Sequence, residues 1–294
     1  MALGSLHQDL LAAARAAVNE DLLPGSLRGR ERQVGVVLGG SAVTEDADEY
    51  SGCDLFVLAW GRGAEPEPLV WQWTDVRRPP HFYRYAELPL DSMRTALAEG
   101  EDTALHLTRH GLILHDPDGR LARLWEEASH PAAALWRRKL ACRYRAFRER
   151  RASLAWALRR GQPILVLDNL RLLLEHALSC CYYLAGEPAP PAKWAFRGGL
   201  RTPAGRRLRG PVLDLLSSLG DLAMLGGSLN LRHNRIYRQV ERIQMTLEEV
   251  LVESGLPVPS LAAEAGGDPA RRPPRARPLR RSADVLGEDA PGAV

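Results

Sequence analysis

The residues of this 294-residue chain that can do chemistry begin with a glycine turn and a lone aspartate at the mouth of an apolar strand. Gly39-Gly40-Ser41 follows Val34, Val36, Val37 and Leu38, an apolar β-branched run bounded by glycines. Glycine lets a backbone turn sharply and approach a phosphate closely, so Gly39, Gly40 and Ser41 are candidate nucleotide-binding residues. Asp54 opens a second apolar run, Leu55 to Ala59. A carboxylate beside such a turn is placed to hold Mg²⁺ against a nucleotide's phosphates, which makes Asp54 the candidate metal ligand and a candidate catalytic residue. Further along, Asp168 and Glu175 stand seven residues apart in a helical pattern and so share one face. Nearby Arg171 and an arginine-rich helix before it offer both acids ion-pair partners.

The elements that must position these groups are legible as periodicity. Leu6, Leu10, Leu11, Ala14 and Val18 recur at helical spacing and predict a helix ahead of the first strand, ended by Leu23-Pro24-Gly25-Ser26. Two further strands are expected at Leu69 to Trp73 and His81 to Tyr85, separated by Arg77-Arg78-Pro79-Pro80. A helix is expected to begin at Leu90-Asp91-Ser92 with Asp91 or Ser92 as its cap, another over 102–109, then a short strand, 112–114, closed by the turn Asp116-Pro117-Asp118-Gly119. From Ala132 the pattern is helical: a basic helix with ten Lys and Arg against Glu149 alone over 137–160, one starting at Pro163 and running to Leu184, and closing helices over 211–225 and 229–254. Beyond about Leu256 a Pro-, Gly-, Ala- and Arg-rich segment lacks periodicity and is expected to be disordered.

The Gln33–Trp60 stretch resembles the signature of nucleotidyltransferases with the DNA-polymerase-β-like fold: Gly40-Ser41, a loop, then Tyr50-Ser51-x-x-Asp54-Leu55. The loop length is similar to that of aminoglycoside (kanamycin-type) nucleotidyltransferases. The resemblance implies an α+β fold, with a small mixed β-sheet nucleotidyltransferase domain over 1–130, a helical-bundle domain over 131–256, and the tail 257–294. It implies transfer of a nucleoside monophosphate from a nucleoside triphosphate to a hydroxyl of a small molecule or protein, with Mg²⁺ as cofactor. In that scheme Ser51 joins the nucleotide contacts, and Asp168 or Glu175 takes the acceptor's proton as general base. Pro190-Pro191-Ala192-Lys193-Trp194 is similar to a Pro-x-Lys-Trp segment of related proteins, which adds Lys193 as a phosphate contact.

The chain departs from that pattern where the metal ligands belong. The first metal carboxylate falls on Gly52, and the register of the later strand puts Tyr83 or Arg84 at the third, with Glu87 the nearest acid. Two-metal chemistry needs paired carboxylates. Two functions therefore stand side by side: the transferase, and a catalytically impaired protein of the same fold that binds a nucleotide or a partner without turnover.

Charge is divided unevenly, with 12 Lys and Arg against 21 Asp and Glu over 1–130, and 27 against 15 in the rest. Such halves can focus an anionic ligand between them, or simply attract each other. The basic helix 137–160 is a candidate surface for an acidic protein partner, while the lack of interleaved aromatics speaks against nucleic acid. No apolar run reaches the roughly 20 residues that span a bilayer, and the N-terminus lacks a basic-then-apolar leader, so a cytoplasmic protein without membrane partners is expected. Cys53, Cys142, Cys180 and Cys181 lack metal-ligand spacing and are expected as reduced thiols.

Overall fold

A computed structural model describes residues 5–44, 47–48, 51–60, 72–78, 81–220 and 230–256. The loop acids Asp46 and Glu49, the start of the expected 69–73 strand and the 257–294 tail lie outside the described residues.

A five-stranded mixed sheet is built from β1 (Val34–Gly39), β2 (Cys53–Ala59), β3 (Thr74–Arg78), β4 (His81–Pro89) and β5 (Leu112–His115), in the order β3-β4-β2-β1-β5. β2 and β4 run parallel and the other pairs antiparallel. The third strand begins later than its apolar residues suggest: Gln72 and Trp73 precede it, and Thr74 to Arg78 pair with β4 instead of forming the separator.

The central strands are buried on both faces because helices cover each one. α1 (Ser5–Ala16), prolonged by a wider π-type segment through Ser26, lays Leu10, Ala14 and Val18 against Val36, Leu38, Leu55 and Val57. Pro24 lies within that prolongation, so the turn signal does not end the helix where its composition suggests. The alternate residues Val37, Phe56 and Leu58 face α2 (Leu90–Glu99), α3 (Asp102–His110) and α4 (Arg120–Ala128). Full burial of each Val or Leu contributes roughly 1.5–3 kcal/mol, and the period-two alternation supplies both layers from one strand. α2 starts at Leu90 after Pro89 without the side-chain cap expected of Asp91 or Ser92, whereas α3 is capped by Glu101, whose carboxylate accepts from the Ala104 N–H at 2.7 Å.

The rest is helical: α5 (Ala133–Arg159), α6 (Pro163–Leu184), α7 (Ala192–Gly199), α8 (Pro203–Ser218) and α9 (Arg235–Glu253). α5, α6, α8 and α9 bury one core around Tyr144, Phe147, Leu170, Leu208 and Ile243. The two closing helices thus start at Thr202 and Asn234, whose side chains cap them by accepting from Gly205 and Tyr237. Much of the basic character of α5 is spent inside the molecule: Lys139 and Arg143 bind Asp102 of α3 at 2.9 and 3.4 Å, and Arg151 binds Glu241 of α9 at 2.7 Å. Tyr183 donates to the same Asp102 at 2.5 Å, so a charged cluster joins the sheet layer to the helices. All four cysteines are free thiols; three are buried, and burial holds the Cys181 thiol up at about 12. No helix among the described residues is long and apolar enough to cross a membrane.

Candidate functional site

Two neighbouring strands in register make the floor of a cleft. Asp54 near the start of β2 lies directly beside Arg84 of β4. The Arg84 Nε donates to Asp54 Oδ1 at 2.6 Å and its Nη2 to Oδ2 at 3.3 Å, a fork-to-carboxylate pair. That hydrogen bond raises the guanidinium pKa, against the opposing pull of burial. Of the two sequence options at this point, Arg84 faces Asp54, while Tyr83 points to the α1 side and bonds Asp21. The guanidinium also lies 4.3 Å from the centre of the Trp73 ring, and Trp73 meets Phe56 edge-on at 5.2 Å.

Gly40 accounts for how close the turn comes to this pair. Its φ of +69° suits glycine, and a Cβ there would stand 2.3 Å from Asp54 Oδ2. The turn therefore rests on the carboxylate. Above it opens a cavity of about 250 Å³ bounded by Gly39, Gly40, Asp54, Arg84 and the rings of Phe56, Trp73 and Trp194. A second space of about 390 Å³ adjoins it, sharing Gly40, His106, His110 and Trp194 and reaching Glu187 and Arg201. Volumes of this order suit a small-molecule ligand.

The other candidates are placed differently. Ser41 is buried, and its hydroxyl donates to Ser51 Oγ at 3.0 Å; Ser51 in turn donates to Asp48 Oδ1 at 3.0 Å. The short helical turn Gly40–Val43 rolls Ser41 toward its own loop, so these two serines clasp the loop and neither lines the cleft. Asp168 and Glu175 bind Arg171 at 3.4 and 3.2 Å, and Glu175 stands 4.0 Å from Arg143. They form ion pairs on α6 and do not line the cleft either, because their shared face meets α5 and solvent. Lys193 is in α7, but its side chain lies outside the described residues; its neighbour Trp194 forms cleft wall.

Mg²⁺ can be tested against the donors present. Both oxygens of Asp54 are engaged by Arg84. At Gly52, a Cβ would lie 2.8 Å from the Phe82 carbonyl oxygen, so β4 backbone occupies the space of an acid side chain. Glu87 pairs with Val57, three residues along the strand from Asp54, and is bound to Arg30 at 2.5 Å. Among the described residues no group of three or more His, Cys, Asp or Glu can hold a metal ion. The donor set among the described residues does not fit a Mg²⁺ site.

His106 and His110 are the cleft residues that motif reading passes over. Their spacing of four puts them on one face of α3, with ring centres 4.6 Å apart. Burial, then the neighbouring His110, pushes His106 down to about 4, and burial also lowers His110. Both rings are therefore neutral near pH 7. In α6, burial followed by the charge of Arg143 likewise holds His176 at about 4. Unfolded histidine takes its proton near 6.5 and folded His106 only near 4, so the unfolded state binds more protons in that window and stability falls as pH drops through it. We expect His106 to account for a loss of about 2 kcal/mol between pH 6.5 and 4. Urea unfolding over this range should show the slope, and His106→Gln should flatten part of it, His110 and His176, which burial also lowers, supplying the rest; an unchanged slope in the variant would remove His106 as a source.

No family model matches the chain, and no curated protein matches it. Among solved structures it is similar to a nucleotidyltransferase-like protein from Exiguobacterium sibiricum, at 11% identity over 87% of this chain and 77% of that one, with a TM-score of 0.43.

Proposed function

We propose that this chain is a nucleotidyltransferase-like protein that binds a nucleotide or nucleoside in the cleft without metal-dependent transfer. One observation carries the reading: the Asp54 carboxylate, the one acid left at the motif, is neutralised in register by Arg84. A fixed guanidinium there repels a cation and offers its remaining N–H donors to a phosphate. The rings of Trp73, Phe56 and Trp194 supply flat apolar wall against which a base stacks. The two-part organisation, 1–130 and 131–256, belongs to the same proposal, with the cleft between the sheet layer and the segment leading into α7.

The test is a titration of tryptophan fluorescence with ATP and with AMP, in EDTA and again in Mg²⁺, alongside a pyrophosphate-release assay with pooled hydroxyl acceptors. The expected result is quenching with the same midpoint in both buffers and no release. Mg²⁺-dependent release that disappears in Asp54→Ala would establish the transferase instead, and no quenching by either nucleotide would end the nucleotide reading.

A further inference from the structure

The end of the helical layer farthest from the chain's last described residue carries exposed apolar side chains that the cleft does not use. α5 and α6 are joined by a turn at Gly161, whose φ is +60°. Around it Trp156, Ile164, Leu165 and Leu167 are 58, 76, 49 and 42% exposed. Val166 and Leu170, on the opposite side of the same helix, are buried, so outward placement is a property of the helix face rather than of fraying.

This corner is also basic. Between Glu149 and Asp168 the sequence has four arginines, Arg150, Arg151, Arg159 and Arg160, and no acid. Arg159 and Arg160 lie 5.9 and 5.4 Å from the centre of the Trp156 ring, so cationic and apolar parts form one patch. Arg151 reaches Glu241 and the Tyr237 ring, and Tyr144 bonds Glu248, so α5 and α9 run antiparallel. The start of α9 therefore comes to the same end and adds exposed Arg232, Arg235 and Arg238. Among the described residues none of Arg159, Arg160, Arg232, Arg235 or Arg238 has a carboxylate partner.

We infer that this corner docks on the surface of an anionic lipid bilayer. Its charge complements such a surface. The patch sits on an exposed helix–turn–helix end and neither cleft cavity includes its residues. A fluid interface takes up Trp at headgroup depth and Ile and Leu just below, and leaves guanidinium groups beside phosphates. A nucleic acid would meet the arginines but leave Ile164, Leu165 and Leu167 in water. The contact is peripheral, in keeping with the described helices, none of which is long and apolar enough to span, and it stands apart from the nucleotide reading.

The experiment is co-sedimentation of the full chain with vesicles of phosphatidylcholine alone, and with vesicles of phosphatidylcholine and phosphatidylglycerol in equal parts. The chain should sediment with the anionic vesicles only, less as salt is raised. Arg159→Glu with Arg160→Glu, and separately Ile164→Asp with Leu165→Asp, should each weaken binding at least about tenfold. These side chains are exposed, so circular dichroism and the melting temperature should not change, which separates lost docking from lost folding. Equal sedimentation with neutral vesicles, none with either, or binding that both variants leave intact would overturn the proposal. So would a lipid-free dimer that Ile164→Asp dissociates, since the patch would then be an interface between copies.

Discussion

Arg84→Asp is expected to lower stability by about 2–3 kcal/mol in EDTA and to create a divalent-cation site beside Asp54. The reason is register. Position 84 lies beside Asp54 across a parallel strand pair, so the substitution exchanges a bidentate ion pair for two facing carboxylates. The Asp54 side chain is 17% exposed, which leaves like charges poorly screened, though less costly than in a dry interior. Two carboxylates on neighbouring strands are also the donor pair that a hard cation needs, so Mn²⁺ should restore part of the loss by binding the folded state. Urea unfolding with and without Mn²⁺, together with calorimetric Mn²⁺ titration, measures both effects. Arg84→Ala separates them: it should cost about 1–3 kcal/mol by leaving Asp54 unpaired, with no rescue comparable to that of the aspartate variant. A loss under about 0.5 kcal/mol in either variant, or equal Mn²⁺ affinity in wild type and Arg84→Asp, would show that the pair does not govern this site.

The second large effect is expected at Gly40. Alanine there meets two penalties at once. A φ of +69° costs an L-residue about 1–2 kcal/mol, and the new methyl would sit 2.3 Å from Asp54 Oδ2, so the carboxylate must leave its place against the turn. Displacing it weakens the Arg84 pair, and the total should approach about 3 kcal/mol. Nucleotide quenching should fall with it, because the cleft floor moves. Gly210→Ala, in the interior of α8, is the control: the usual gain over glycine is offset because Pro211 follows and disfavours helical geometry at a preceding residue with a Cβ, so stability should change by less than about 0.5 kcal/mol. A Gly40→Ala chain with wild-type urea midpoint would mean that the turn does not rest on Asp54.

Much of the architecture can be read before any coordinates. β1 and β2 are runs of Val and Leu that only a sheet buried on both faces accommodates, and the structure buries every residue of Val34–Gly39. Pro163 opens α6 as its missing N–H predicts. β3 shows where such reading fails. Trp73 has a strand-like side chain, yet among the described residues the pairing falls on Thr74 to Arg78, because hydrogen bonding to β4, not side-chain type, sets an edge strand's limits.

The candidate site divides along the same line. The order of residues alone supplied the glycine turn, the acid that opens the next strand, the glycine where a second acid is absent and the conflict posed by an arginine on the later strand, since each depends on residue type at short separation. Tertiary structure decided that Arg84 rather than Tyr83 faces Asp54, that Ser41 and Ser51 close their own loop, that Asp168 and Glu175 stay with Arg171, and that His106, His110 and Trp194 wall the cleft. Those outcomes follow from strand register and helix rotation. Both are set by how distant apolar faces pack, and a shift of one residue turns a side chain to the opposite side of its sheet.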